Sequence, residues 1–172
     1  MRAIATLVAL SLSVALSAQT KQERAGITNF TKVDAVVACG GATETKALDG
    51  LAKDGFKAVI NLRMPTEPGA NIEENAAHAK SLGLNYISIP FSGAQADPAV
   101  VDQFLAAIAN KANQPVYVHC ASANRVGAVW MVKRVLQDGW AQDKALEEAK
   151  LIGLTNQALQ TFAVNYITSH KK

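Results

Sequence analysis

Residues 115–125 read Pro115-Val116-Tyr117-Val118-His119-Cys120-Ala121-Ser122-Ala123-Asn124-Arg125. A compact apolar run bounded by Gln114 leaves through a tight loop and opens a helix that continues from 125 to 137. A strand feeding a helix in this way belongs to a parallel α/β sheet, whose reactive loops lie beyond the C-terminal strand ends. Each part of the loop has a chemical use. Cys120 at the lip of a helix N-terminus sits in the field of unpaired N–H groups, a setting that favours a thiolate nucleophile. Successive loop N–H groups form an anion cradle, and Arg125 closes it with a bidentate fork. Together these suit displacement at phosphorus through a covalent phosphocysteine. Ser122 and Asn124 either hold the loop's shape or contact the anion. The plain alternative is that Cys120 is a small buried hydrophobe.

The chain upstream alternates in the same fashion. Residues 33–39 form a short apolar run that turns at Gly40-Gly41. Thr43 is placed to cap a helix carrying Ala47, Leu48, Leu51 and Ala52, with Gly55 as its left-handed stop. Residues 56–62 read as a second strand, with Phe56, Ala58, Ile60 and Leu62 on one face and Val59 on the other. Two prolines and a glycine make 64–70 a loop. Residues 72–82 are helical up to Gly83, and 85–91 give a third strand. Val100, Val101, Phe104, Leu105 and Ile108 recur at helical spacing. Beyond the Cys120 loop, the spacing predicts helices over 125–137, 142–151 and 156–169. The whole predicts one three-layer α/β domain: a mainly parallel central sheet of about four to five strands, flanked by helices.

The segment from His119 to Arg125, with the strand before it, resembles the phosphate-binding loop of cysteine-dependent tyrosine and dual-specificity phosphatases. The likeness continues through Gly55-Phe56-Lys57-Ala58-Val59-Ile60-Asn61-Leu62-Arg63, Glu67 and Tyr86-Ile87-Ser88-Ile89-Pro90-Phe91, covering about residues 33 to 155. It looks most like the small bacterial branch related to the phosphatase-like domain of beta-lactamase-hydrolase-like proteins. The resemblance implies a protein tyrosine phosphatase-like fold, a mechanism without metal or cofactor, Cys120 as nucleophile and Arg125 as phosphate clamp. It implies phosphate monoesters, phosphotyrosine among them, as substrates, borne on a protein or a small molecule. His119, Ala121, Ser122, Ala123 and Asn124 would then surround the bound anion, and Arg63 would add a second positive group.

The departures from that pattern keep other readings open. Four residues, Ala121 to Asn124, separate Cys120 from Arg125, where the usual phosphatase loop has five. Rhodanese-type sulfurtransferases use the shorter spacing, as do relatives in the small bacterial branch. A Cys120 persulfide and a non-catalytic phosphate-binding module therefore stand beside the phosphatase reading. Ala123 replaces a common loop glycine, which makes a positive φ there more costly. Val126 stands where many phosphatases carry a Ser or Thr that helps expel the thiolate. The general acid of such enzymes comes from the loop after the Ile-Pro-Phe-like strand, and by register falls near Gly93. The carboxylate in that loop is Asp97, which before Pro98 is either the acid or a helix N-cap with proline at N1.

Arg63 and Glu67 flank one loop at the sheet end that carries Cys120, as a pocket-shaping ion pair or a solvated one. Cys39 either packs as a small hydrophobe or pairs with Cys120 in an oxidising compartment. His119 is expected to orient the loop through hydrogen bonds rather than act as a base. Three scattered His, including His78 and His170, and 2 Cys offer no tetrahedral metal spacing. Trp130 and Trp140 read as packing residues.

The 172 residues carry 17 basic and 14 acidic side chains, a net charge of +3, too small and too dispersed to point to nucleic acid. The apolar residues concentrate in 3–16, behind Met1-Arg2 and ahead of the polar stretch 19–24. That order describes a signal peptide cleaved after Ala18. The run falls short of the ~20 residues of a spanning helix, so no stable membrane anchor is expected. The expectation is a periplasmic or secreted phosphatase-like domain over 19–172.

Overall fold

Val116–His119 has no exposed residue and lies with a strand on either side of it. A strand buried on both faces is apolar throughout rather than alternating. In the computed structural model, which describes residues 19–171, the elements follow in the order β1 (Thr20–Lys21), β2 (Thr31–Lys32), β3 (Val37–Gly40), α1 (Ala47–Lys53), β4 (Ala58–Asn61), α2 (Ile72–Ser81), β5 (Asn85–Ser88), α3 (Pro98–Ala109), β6 (Val116–His119), α4 (Asn124–Leu136), α5 (Gln142–Ile152) and α6 (Gln157–His170). The sheet order is β1-β2-β3-β6-β4-β5. Strands β3, β6, β4 and β5 are parallel, and β1 and β2 add an antiparallel edge. The predicted architecture holds, with two more strands than the four parallel ones; each is only two residues long, too short for periodicity to register. The expected signal peptide, 1–18, lies outside the described residues.

Strand alternation divides the core in two. Val37, Cys39, Ala58, Ile60, Leu62, Val116, Val118 and Cys120 face Val101, Phe104, Val126, Trp130 and the rest of the α3–α6 layer. Ala38, Val59 and Tyr117 face Leu48, Leu51 and Ala79 of α1 and α2. Phe56 packs on the second face rather than with Ala58 as expected, because it precedes the regular strand.

Helix α4 is buried almost all round, the mark of a helix inside its layer. A Cβ on its Gly127 would lie 2.8 Å from both Ala149 O and Leu154 Cβ, so glycine there lets α5 close against it. Trp130 Nε1 (2.7 Å) and Arg134 Nε (2.6 Å) both donate to Glu148 Oε2. The Arg134 guanidinium lies 4.6 Å and 4.4 Å from the ring centroids of Trp130 and Trp140. Both tryptophans are thus packing residues, around a buried ion pair that nothing local in the sequence announces.

Thr43 does not cap α1, which starts without a side-chain cap. Its hydroxyl donates to Gly41 O (3.0 Å) and meets Tyr117 Oη at 2.7 Å. Gly40 pairs with His119, and Asn61 with both His119 and Ser88. The loops after all four parallel strands therefore open at one sheet edge.

Candidate active site

Cys120 sits at that edge, fully buried, its N–H bonded to Gly40 O at 3.3 Å. The loop after it turns its carbonyls to the surrounding chain. Ala121 O accepts from Ala42 N (2.8 Å), Ser122 O from Asn29 Nδ2 (3.4 Å) and Ala123 O from Gly127 N (2.9 Å). Among the described residues, no backbone carbonyl accepts from the N–H groups of 121–125. Unclaimed donors at a helix start are the kind of arrangement that can cradle an anion.

Arg125, in the first turn of α4, is aimed by a carboxylate. Its Nη1 donates to Glu67 Oε1 (2.5 Å) and Phe91 O (2.8 Å), and its Nη2 to Glu67 Oε2 (2.8 Å). Glu67 thus grips the guanidinium end-on. Of the five donors of a planar guanidinium, Nε–H and the second Nη2–H remain, side by side, as a fork for two oxygens of an oxyanion. Burial works against the Arg125 charge, but Glu67 and the neighbouring Cys120 sulfur outweigh it and hold the guanidinium protonated.

Glu67 also accepts from Met64 N (2.7 Å) and Arg63 Nε (3.3 Å). Arg125 foremost among these donors holds its carboxyl at about 2, against an ordinary 4.5. Arg63 gives its other nitrogens to Gly69 O (2.7 Å) and Pro68 O (2.5 Å), and its side chain is only 7% exposed. It braces the 64–70 loop and makes the ion pair with Glu67 that was one of its expected roles. The contact between Glu67 and Arg125 spans 58 residues, and sequence reading, which paired Glu67 with Arg63 alone, missed it.

The remaining loop residues divide between shape and burial. Ala123 adopts φ 69°, the left-handed conformation anticipated for this position, at a cost of roughly 1–2 kcal/mol for a residue with a Cβ. Its methyl has room because residue 153 is glycine: a Cβ there would lie 2.9 Å from Ala123 Cβ. Asn124 Oδ1 accepts from Thr155 N and Asn156 N, both at 2.7 Å, and its Nδ2 donates to Ser122 Oγ at 3.3 Å. Its side chain therefore docks the loop onto the α5–α6 connection, the first of its two anticipated roles.

The His119 ring stacks on Tyr117 at 5.6 Å, on the sheet face opposite Cys120, and neither ring nitrogen has a hydrogen-bond partner. It packs beneath the edge, with the backbone of Gly41 and Cys120 beside it. Burial first, then Arg63, pushes it down to about 4, so the ring is neutral near pH 7. Asp97 is the N-cap of α3, exposed, with its carboxylate accepting from Ala99 N at 2.9 Å. Gly93 is also exposed, and a Cβ there would meet only Leu159 Cδ1, at 4.0 Å. Cys39 and Cys120 are both free thiols. Cys39, in register with Val118, is buried, and burial foremost raises its pKa well above the ordinary value.

Over residues 10–165 the chain matches the family described as "DSP-PTPase phosphatase fused to NAD+ Kinase". The chain belongs to this DSP-PTPase family. Solved structures support the fold of the DSP-PTPase domain. A DUF442 protein of Shewanella putrefaciens CN-32 is 18% identical, with a TM-score of 0.71 over 84% of this chain and 92% of its own. The core catalytic domain of the PP-IP phosphatase SIW14 from S. cerevisiae is 20% identical, with a TM-score of 0.69 over 83% and 87%. P. aeruginosa TpbA, in a form solved in complex with pTyr, is 18% identical, with a TM-score of 0.66 over 90% and 91%. No curated protein matches this DSP-PTPase in sequence. Among its described residues no His/Cys/Asp/Glu group could hold a metal ion, and no helix is long and apolar enough to cross a membrane.

Proposed function

We propose that this DSP-PTPase is an exported phosphatase that hydrolyses phosphate monoesters through a phosphocysteine on Cys120. The observation that carries the reading is the Arg125 fork, aimed by Glu67 beside the unclaimed N–H groups above Cys120. Cys120 Sγ, as the thiolate, attacks phosphorus. The loop N–H groups and Arg125 hold the equatorial oxygens as charge builds on them, where preorganised donors act most strongly. Water then displaces the sulfur and frees inorganic phosphate. Support for a phosphorylated ligand comes from the TpbA relative solved with pTyr.

Val126, where a hydroxyl would assist departure of the sulfur, makes the second step the slower one. A rapid acid quench during turnover of 4-nitrophenyl phosphate is therefore expected to trap phosphate on Cys120, with a burst of nitrophenolate equal to the enzyme concentration. Phosphate trapped on another residue, or linear release with no trapped phosphate, counts against the covalent route. Export is tested separately. Expressed with its own first 18 residues in a bacterial host, the protein is expected outside the cytoplasm with Gln19 as its first residue. An intact N-terminus in the cytoplasm would end that part of the proposal.

A further inference from the structure

A cavity of about 200 Å³ opens away from the Cys120 cradle, and the chemistry proposed at Cys120 makes no use of it. Val36, Val37, Phe56 and Pro115 line it, at or just before the starts of β3, β4 and β6. Four steps of about 3.3 Å along the chain separate Val116 from Cys120, so the cavity and the cradle can be filled together. Two aromatic side chains, Phe30 and Phe56, wall the cavity. Each packs on the buried Tyr117, with ring centroids 6.0 Å and 6.5 Å from its own, and so is held from behind. Val36, one of the few large apolar side chains exposed among the described residues, extends the apolar side.

The charges around it do not balance. Arg24 and Asp54 pair with each other at 2.7 Å, and the guanidinium lies over the Phe30 ring, 4.9 Å from its centroid. Asp34 Oδ1 accepts from Val36 N and Val37 N, both at 2.9 Å, and its Oδ2 faces Arg134 at 3.5 Å. Lys32 is left over: among the described residues its ammonium has neither an ion pair nor a hydrogen bond. The side-chain amide of Gln22, on the same cavity, is equally unclaimed. Sites for small molecules combine an apolar, aromatic lining with a few polar groups that fix orientation. From this arrangement we infer that the cavity binds a small aromatic carboxylate. Its ring lies against Phe30 and Phe56, where offset or edge-on contact adds to the burial of apolar area. Its carboxylate accepts from Lys32 Nζ and Gln22 Nε2, a charge-assisted contact that answers the single uncompensated cation. The volume, below the ~300 Å³ of the smallest drug-sized sites, suits one ring with a short acid arm.

The test titrates the full chain with phenylacetate, its neutral analogue phenylacetamide and the cationic phenethylamine, following backbone amide NMR shifts. Phenylacetate is expected to saturate with a Kd below about 1 mM. It should move the amides of residues 22, 30–37 and 56 and leave those of 121–125 in place. Phenylacetamide should bind about tenfold more weakly or worse, and phenethylamine without saturation. Saturating inorganic phosphate, which competes only for the cradle, should leave the phenylacetate Kd within about twofold. Lys32 is exposed on a two-residue edge strand, so Lys32→Gln should keep the fold. That variant is expected to weaken phenylacetate by about tenfold, and Lys32→Arg to restore it. No saturation by about 10 mM phenylacetate, or equal affinity for all three compounds, would overturn the inference. So would shifts centred on 121–125 that phosphate displaces and Lys32→Gln leaves intact, since they would put the carboxylate in the Cys120 cradle.

Discussion

Cys120→Ser is expected to abolish turnover of 4-nitrophenyl phosphate, a loss of about 10⁴-fold or more, since no other group above the cradle can replace the nucleophile. The substitution changes one atom, and the N–H groups of 121–125 and the Arg125 fork stay in place. The variant is therefore expected to keep its fold by circular dichroism and to bind inorganic phosphate or tungstate with the affinity of the parent. Loss of binding together with activity would show a collapsed loop rather than a missing nucleophile. The same pair of proteins separates phosphoryl from sulfur transfer. Thiocyanate formed from thiosulfate and cyanide by the parent but not the variant, without phosphate release from any ester, would move Cys120 to a persulfide role.

Arg125→Ala is expected to lower kcat/KM by about 10²- to 10³-fold, the usual consequence of removing a preorganised donor to transition-state oxygens. Arg125→Lys should recover little. A lysine is a point charge and cannot grip Glu67 at one end while offering two parallel donors at the other. Glu67→Gln leaves the guanidinium in place but less firmly aimed, so a smaller loss is expected, weighted toward kcat.

These residues also set the acid limit of stability. Glu67 titrates at about 2 in the folded chain against an ordinary 4.5. Its contribution is complete above 4.5 and disappears as the pH falls toward 2. His119, neutral in the fold, titrates at about 4 against an ordinary 6.5, so the unfolded chain binds the extra proton in that interval. Stability therefore declines first between 6.5 and 4, and further between 4.5 and 2. Urea midpoints across this range should show both losses. Glu67→Gln should remove the lower one, and an unchanged profile in that variant would contradict the assignment.

The legible part of this protein was the part written locally. The buried run Val116–His119, followed directly by a loop and a helix, identifies strand, reactive turn and helix from consecutive residues. The stop at Gly55 and the cap at Asp97-Pro98 are likewise local chemistry. Reading failed where a side chain had two uses. Thr43 suits a cap by type, but its hydroxyl meets Tyr117 Oη, which β6 brings alongside the turn after β3. Phe56 fits the strand alternation and lies just outside it.

By itself, the sequence determined the α/β order of the chain, the parallel arrangement of its main strands and the loop that bears Cys120 and Arg125. Backbone propensity, side-chain period and turn chemistry act over a few residues and leave a pattern there. Only the tertiary structure decided which carboxylate aims Arg125, that Arg63 is a brace, that His119 lies beneath the sheet, and that Gly153 makes room for Ala123. Those outcomes depend on parallel strands meeting in register and on layers closing over them. Such contacts join residues far apart in the chain, and nothing in the local alternation of side chains records them.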